Sequence, residues 1–132
     1  MGDVVMCPIK FKSYEYNDLS TPSEQLLNQL INDAYDEIIF TNSNFNSEIN
    51  NIPNGIKSII FENCTDKFNQ SINNLPNSII NLNLYGIFNQ SIDNLPSSLL
   101  YLNLGDSFNQ PINHLPSNLI HLILGQSFNQ SI

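Results

Sequence analysis

A pentapeptide recurs along this chain at a fixed interval. Phe-Asn-Gln-Ser-Ile begins at Phe68 and at Phe88, returns as Phe-Asn-Gln-Pro-Ile at Phe108, and fills the last five residues from Phe128. The spacing is 20 residues each time. Self-similarity at such a period marks a solenoid, in which each copy is one coil and stacked coils share a continuous core. The units are 68–87, 88–107 and 108–127, with a partial unit at 128–132. A divergent copy, three residues longer, spans 45–67 and carries its extra length around Cys64–Lys67, and a remnant of an earlier one lies in Asp36–Asn44.

Read down this alignment, fixed columns separate from free ones. Phe68, Phe88, Phe108 and Phe128 form one column and Ile72, Ile92, Ile112 and Ile132 another; Leu75, Leu95 and Leu115 form a third, each followed by Pro. Ile79, Leu99 and Leu119 come next, then the pairs Leu82/Leu84, Leu102/Leu104 and Leu122/Leu124. Residues two apart share one side of a strand, so each pair is expected to face the interior while Asn83, Asn103 and Ile123 face the other way. Ile59/Phe61 and Ile38/Phe40 are the earlier counterparts. Each coil is therefore expected to be a turn introduced by Pro and leading into a short strand, and the stacked strands a parallel sheet. Twenty residues leave no room for a full helix on the return side, so turns or a 3₁₀ segment are expected around Ile72–Pro76. The Asn69, Asn89, Asn109 and Asn129 column suits a side chain that bonds neighbouring backbone at the coil's corner.

Ahead of the repeats, Ser20–Glu37 reads as a helix over about 22–35, with Thr21 as N-cap, Pro22 as its first residue and Glu24 as the reciprocal carboxylate. Leu26, Leu27, Leu30, Ile31, Ala34 and Tyr35 follow the spacing of one apolar face. Residues 1–37 are accordingly expected to be a cap whose helix closes the first coil, and 38–132 the solenoid. Ile9–Tyr16 alternates enough for a short strand beside the cap. Asp33 and the pair Asp36/Glu37 read as a solvated acidic face.

Composition narrows the function. The net charge is −8, from 12 acids against four bases, and all four bases are lysines. Without arginine, bidentate phosphate contacts are missing and repulsion from a polyanion is unrelieved, which argues against nucleic acid. Residues 68–132 carry only Asp93 and Asp106 as charges. No stretch approaches the roughly 20 apolar residues of a membrane span, and the N-terminus lacks a secretory pattern. An intracellular, cytoplasmic protein is the expectation. Cys7 and Cys64 then read as unpaired thiols, and the sequons at Asn63, Asn69, Asn89 and Asn129 as structural asparagines. No catalytic triad, phosphate loop or metal spacing is present, so no enzyme, metal or cofactor is expected. His114 reads as a surface substitution.

The residues that vary over the fixed frame are Asn81, Asn83, Tyr85, Tyr101, Asn103, His121 and Ile123, an uncharged set with aromatics. They are read as an exposed sheet face that binds a protein partner, since tyrosine offers contact area with a polar tip at little entropic cost. The adjacent Ile80, Leu100 and Ile120 are either inward or an exposed rim. The terminal Phe128–Ile132 stub is expected to roof the preceding coil with Phe128 and Ile132. The alternative reading is a structural protein that self-associates through that last coil.

The phrase Phe-Asn-Gln-Ser-Ile-x-Asn-Leu-Pro-x-Ser-Leu-x-x-Leu-x-Leu-Gly, carried by residues 45–132 with traces back to Ile38, resembles the FNIP repeat. This leucine-rich-repeat-like family is expanded in social amoebae and in large DNA viruses that infect amoebae. The resemblance implies a mainly β solenoid with one strand per repeat, α/β overall once the N-terminal helix is counted. It also implies a protein-interaction array, and for a viral protein a host-directed adaptor in the host cytoplasm.

Overall fold

The computed structural model describes residues 7–62 and 66–132. Cys64 and the Asn63 sequon lie outside those residues. Strand β1 (Ser13–Tyr16) is followed by helix α1 (Glu24–Asn32), and then by β2 (Glu37–Phe40), β3 (Ser58–Phe61), β4 (Asn81–Asn83), β5 (Tyr101–Asn103) and β6 (His121–Ile123). All six strands form one parallel sheet in chain order. Sequential strands that are both adjacent and parallel require each connection to travel round and return. The chain is thus a β solenoid of five coils with a leucine-rich-repeat-like sheet.

Strand alternation fills the interior as the Leu pairs require. Ile38, Ile59, Leu82 and Leu102 are aligned across the sheet and fully buried, as are Phe40, Phe61, Leu84 and Leu104 two residues on. Leu84 N–H donates to Asn103 O and Leu104 N–H to Ile123 O, so the ladder runs one residue past each three-residue strand. The last pair departs from this pattern. Leu122 and Leu124, expected in the interior like their counterparts, are only half-buried, and Leu124 lies one residue beyond the end of β6. Both pack against the core, but a coil stacks on one side of them alone, whereas Leu102 and Leu104 are covered from both sides.

Against Phe40 and Phe61 at the ends of β2 and β3, Phe45 and Phe68 begin a column that continues through Phe88, Phe108 and Phe128, with centroids 6.0–6.3 Å apart and planes within 17°. Beside them runs an asparagine ladder. Asn69, Asn89, Asn109 and Asn129 each donate their backbone N–H to the side-chain oxygen of the preceding ladder asparagine, starting from Asn46, at 2.8–2.9 Å. Gln70, Gln90, Gln110 and Gln130 extend Nε2 to the same asparagines. Phe, Asn and Gln of the recurring phrase are therefore three parallel stacks. Turns shape the return side, each with an N–H three residues after Pro53, Pro76, Pro96 or Pro116 donating to its carbonyl.

The N-terminal region departs from expectation in three ways. The helix is shorter than 22–35, and its N-cap is Ser23, whose hydroxyl accepts the Leu26 N–H; the Thr21 hydroxyl is committed to Glu48 O. Its C-terminus is a Schellman closure, with Tyr35 N–H on Leu30 O, Ala34 N–H on Ile31 O and Ala34 at φ 63°. The sheet begins ahead of the helix, at Ser13, so α1 is the outward leg of the first coil and buries Leu27 and Leu30 in the common core. Among the described residues no helix is long and apolar enough to cross a membrane.

Candidate functional site

In-register parallel pairing turns the outward strand positions into two columns. The first is Ser13, Glu37, Ser58, Asn81, Tyr101 and His121; the second is Glu15, Ile39, Ile60, Asn83, Asn103 and Ile123. Six of the seven sequence-designated partner residues fall in these columns: Asn81 and Asn83 on β4, Tyr101 and Asn103 on β5, His121 and Ile123 on β6. Tyr85 lies just past β4.

The first column is not the open surface expected. Asn81 is 4% exposed, Tyr101 7% and Glu37 6%, whereas His121 is exposed and Asn83, Tyr85, Asn103 and Ile123 are half-buried. Strands about 4.8 Å apart hold same-column side chains in contact, so each is covered by its neighbours on adjacent coils. Tyr101 lies flat on His121 with centroids 5.4 Å apart and planes at 15°. Glu37, read as part of a solvated acidic face, instead points into this column and accepts hydroxyl bonds from Ser13 on one side and Ser58 on the other. Asn81 Nδ2 in turn donates to Ser58 Oγ at 3.0 Å. The relay from Ser13 to Asn81 was missed in the sequence because Glu37 and Ser58 belong to the divergent early coils, outside the strict repeat. The Asn81 and Asn83 side-chain oxygens are buried and accept no hydrogen bond, at about 1–3 kcal/mol each.

Around this face, Ile80 and Leu100 are half-buried and Ile120 is 61% exposed, which makes them a rim flanking the sheet. His114 sits at an exposed corner with Nδ1 3.0 Å from Asp93 Oδ1 on the preceding coil. Phe128 stacks on Phe108 and Asn129 joins the ladder, so the terminal stub continues both; Ile132, expected to help roof the coil, is fully exposed and covers nothing. Cys7 is free, and burial, reinforced by nearby Glu37, pushes its thiol above the ordinary range against the opposing Ile9 backbone bond. Among the described residues no cluster of three or more His, Cys, Asp or Glu is placed to hold a metal ion.

The model of the FNIP Repeat matches residues 68–107, 88–115 and 108–132. No curated protein matches the chain significantly. Among solved structures, CroV588, a circular leucine-rich-repeat protein of the giant virus CroV, is 39% identical and superposes with a TM-score of 0.76 over 92% of this chain and 19% of its own. The chain thus spans about a fifth of that structure's length. With the repeated phrase accounted for as stacked Phe, Asn and Gln columns and its family matched across 68–132, the chain belongs to the FNIP repeat family.

Proposed function

We propose that this protein is a non-enzymatic interaction module whose outer sheet face docks a protein partner. The observation that carries the reading is the pair of outward columns: residue type changes from coil to coil over an interior held constant by the repeat. A fixed frame with a varied, in-register face suits recognition, as solenoids present extended faces to partners. FNIP and leucine-rich repeats are typically non-enzymatic, and the designated residues bring together no nucleophile with a base. The giant-virus origin of CroV588 favours a host protein as the partner, met in the host cytoplasm.

Tyr101 is a poor test position because its removal opens the packed column. The better test places a photo-crosslinking amino acid at Asn103 on the outer face and, separately, at exposed Asn94 on the return side. Irradiation in extract is expected to give a discrete crosslinked product from position 103 that is lost when His121 and Tyr85 are changed to alanine. Products from position 94 alone, or equal products from both, would remove the reading.

A further inference from the structure

We infer that Asn54 is a site of spontaneous deamidation, where the folded chain converts itself to isoaspartate and aspartate in the exposed turn that leads into β3. The conversion needs no partner and does not depend on the docking face.

Of the 23 asparagines in the chain, Asn54 alone is followed by glycine. Glycine has no side chain to crowd its own nitrogen, which can then approach the preceding side-chain carbonyl. Asn54 and Gly55 are both exposed, and no described hydrogen bond engages the Asn54 amide or the Gly55 N–H.

The fold itself calls for this pair. Gly55 holds φ at 107°, where a side chain is strained, and a Cβ there would lie 2.8 Å from Ile31 Cδ1 on α1. In the next two coils the same turn position is Ser78 and Ser98, whose hydroxyls donate to Ile56 O and Ile79 O and tie each turn to the coil before it. Gly55 has no such tie. Its turn closes through Ile56 N–H on Pro53 O at 3.4 Å, the longest of the four Pro turns. The asparagines followed by serine are held instead. Asn42 donates to Asn17 O and accepts the Asn44 N–H, Asn46 accepts the Asn69 N–H at the start of the ladder, and Asn77 accepts the Ser97 N–H.

The step consumes only water. Base removes the Gly55 N–H proton, and the nitrogen attacks Asn54 Cγ to close a five-membered succinimide while Nδ2 takes up a proton and leaves as ammonia. Water then opens the ring at either carbonyl. Breaking the bond from Gly55 N to Cγ gives aspartate. Breaking the bond to the Asn54 backbone carbonyl carbon gives isoaspartate, with the main chain rerouted through Cβ and Cγ. Either product exchanges a neutral amide for a carboxylate with no oxidant or reductant. The isoaspartyl form also lengthens the main chain by one carbon between the buried anchors Ile52 and Ile56.

The test incubates the folded full chain at mildly alkaline pH and follows each asparagine by peptide mapping with fragmentation. Methyl transfer from S-adenosylmethionine by an isoaspartyl methyltransferase is the second readout. Asn54 is expected to gain one mass unit about tenfold faster than Asn42, Asn46 or Asn77, which must first give up a hydrogen bond. Methyl acceptance should rise in step with that gain and fall to background in Asn54→Gln, whose longer side chain closes the ring poorly. Because the Asn54 amide makes no described hydrogen bond, that variant keeps the fold. Conversion at Asn54 no faster than at the other three, conversion only after unfolding in urea, or equal methyl acceptance by Asn54→Gln would each overturn the inference.

Discussion

Asn89 shows what the repeated asparagine is for. Its N–H donates to Asn69 Oδ1 at 2.9 Å, while its own Oδ1 accepts the Asn109 N–H at 2.8 Å and Gln110 Nε2 at 3.3 Å. The side-chain oxygen does the bridging, so a carboxylate retains the bond and an alkyl group does not. Asn89→Leu is expected to cost about 1–3 kcal/mol in urea unfolding by leaving the Asn109 N–H without its acceptor, and Asn89→Asp distinctly less. Adding Asn109→Asp should cost more than twice the single change, because like charges one coil apart repel at about 5 Å. The same repulsion explains why the column is amide and why the repeat half is nearly uncharged.

At the scale of the coil, strands of three residues are too short to set their own register. The turns set it. Gly86 and Gly105 follow β4 and β5 with φ of 72° and 78°, a region that costs a side-chain-bearing residue about 1–2 kcal/mol. Their surroundings differ: a Cβ on Gly105 would lie 3.1 Å from Leu84 O, whereas one on Gly86 would overlap the backbone of Asp66. Gly105→Ala should therefore lose about 1–2 kcal/mol in thermal unfolding. Gly86→Ala should lose clearly more, because backbone must shift to admit it; equal losses would show that the Asp66 turn yields freely.

The whole molecule is close to a one-dimensional stack, in which each coil touches its neighbours and little else. Removing residues 88–107 joins Ile87 to Phe108 and brings Phe108 over Phe68 and the Asn109 N–H to Asn69 Oδ1, the same contacts one coil shorter. Circular dichroism is expected to keep its β character with a lower melting temperature. Removing 88–97 instead joins Ile87 to Ser98 and leaves too few residues between β4 and β5 for a parallel return, so that variant should not fold. If it melts like the whole-coil deletion, the 20-residue coil is not the unit of the stack.

The interior was legible in the sequence because repetition is its own alignment. Phe68, Leu82, Leu84 and their copies recur at positions where only one side-chain size fits each layer, and a 20-residue period leaves a parallel stack as the way to bury them. The Asn column could be placed at a corner for the same reason. Repetition says nothing, however, of how well each copy is covered: Leu104 and Leu124 hold the same place in the phrase, yet the first is fully buried and the second half-buried, because cover comes from the adjacent coil. The outer face likewise needed the tertiary structure. Whether Asn81 and Tyr101 are open or covered depends on which side chain stands beside them on the next coil, and no residue announces that alone. The relay from Ser13 through Glu37 and Ser58 to Asn81 joins residues 13 and 81, which share a face only after four strands have paired in register. Periodic burial is a local property that a chain writes along its length; cross-coil hydrogen bonding is decided by register, which exists only in the folded stack.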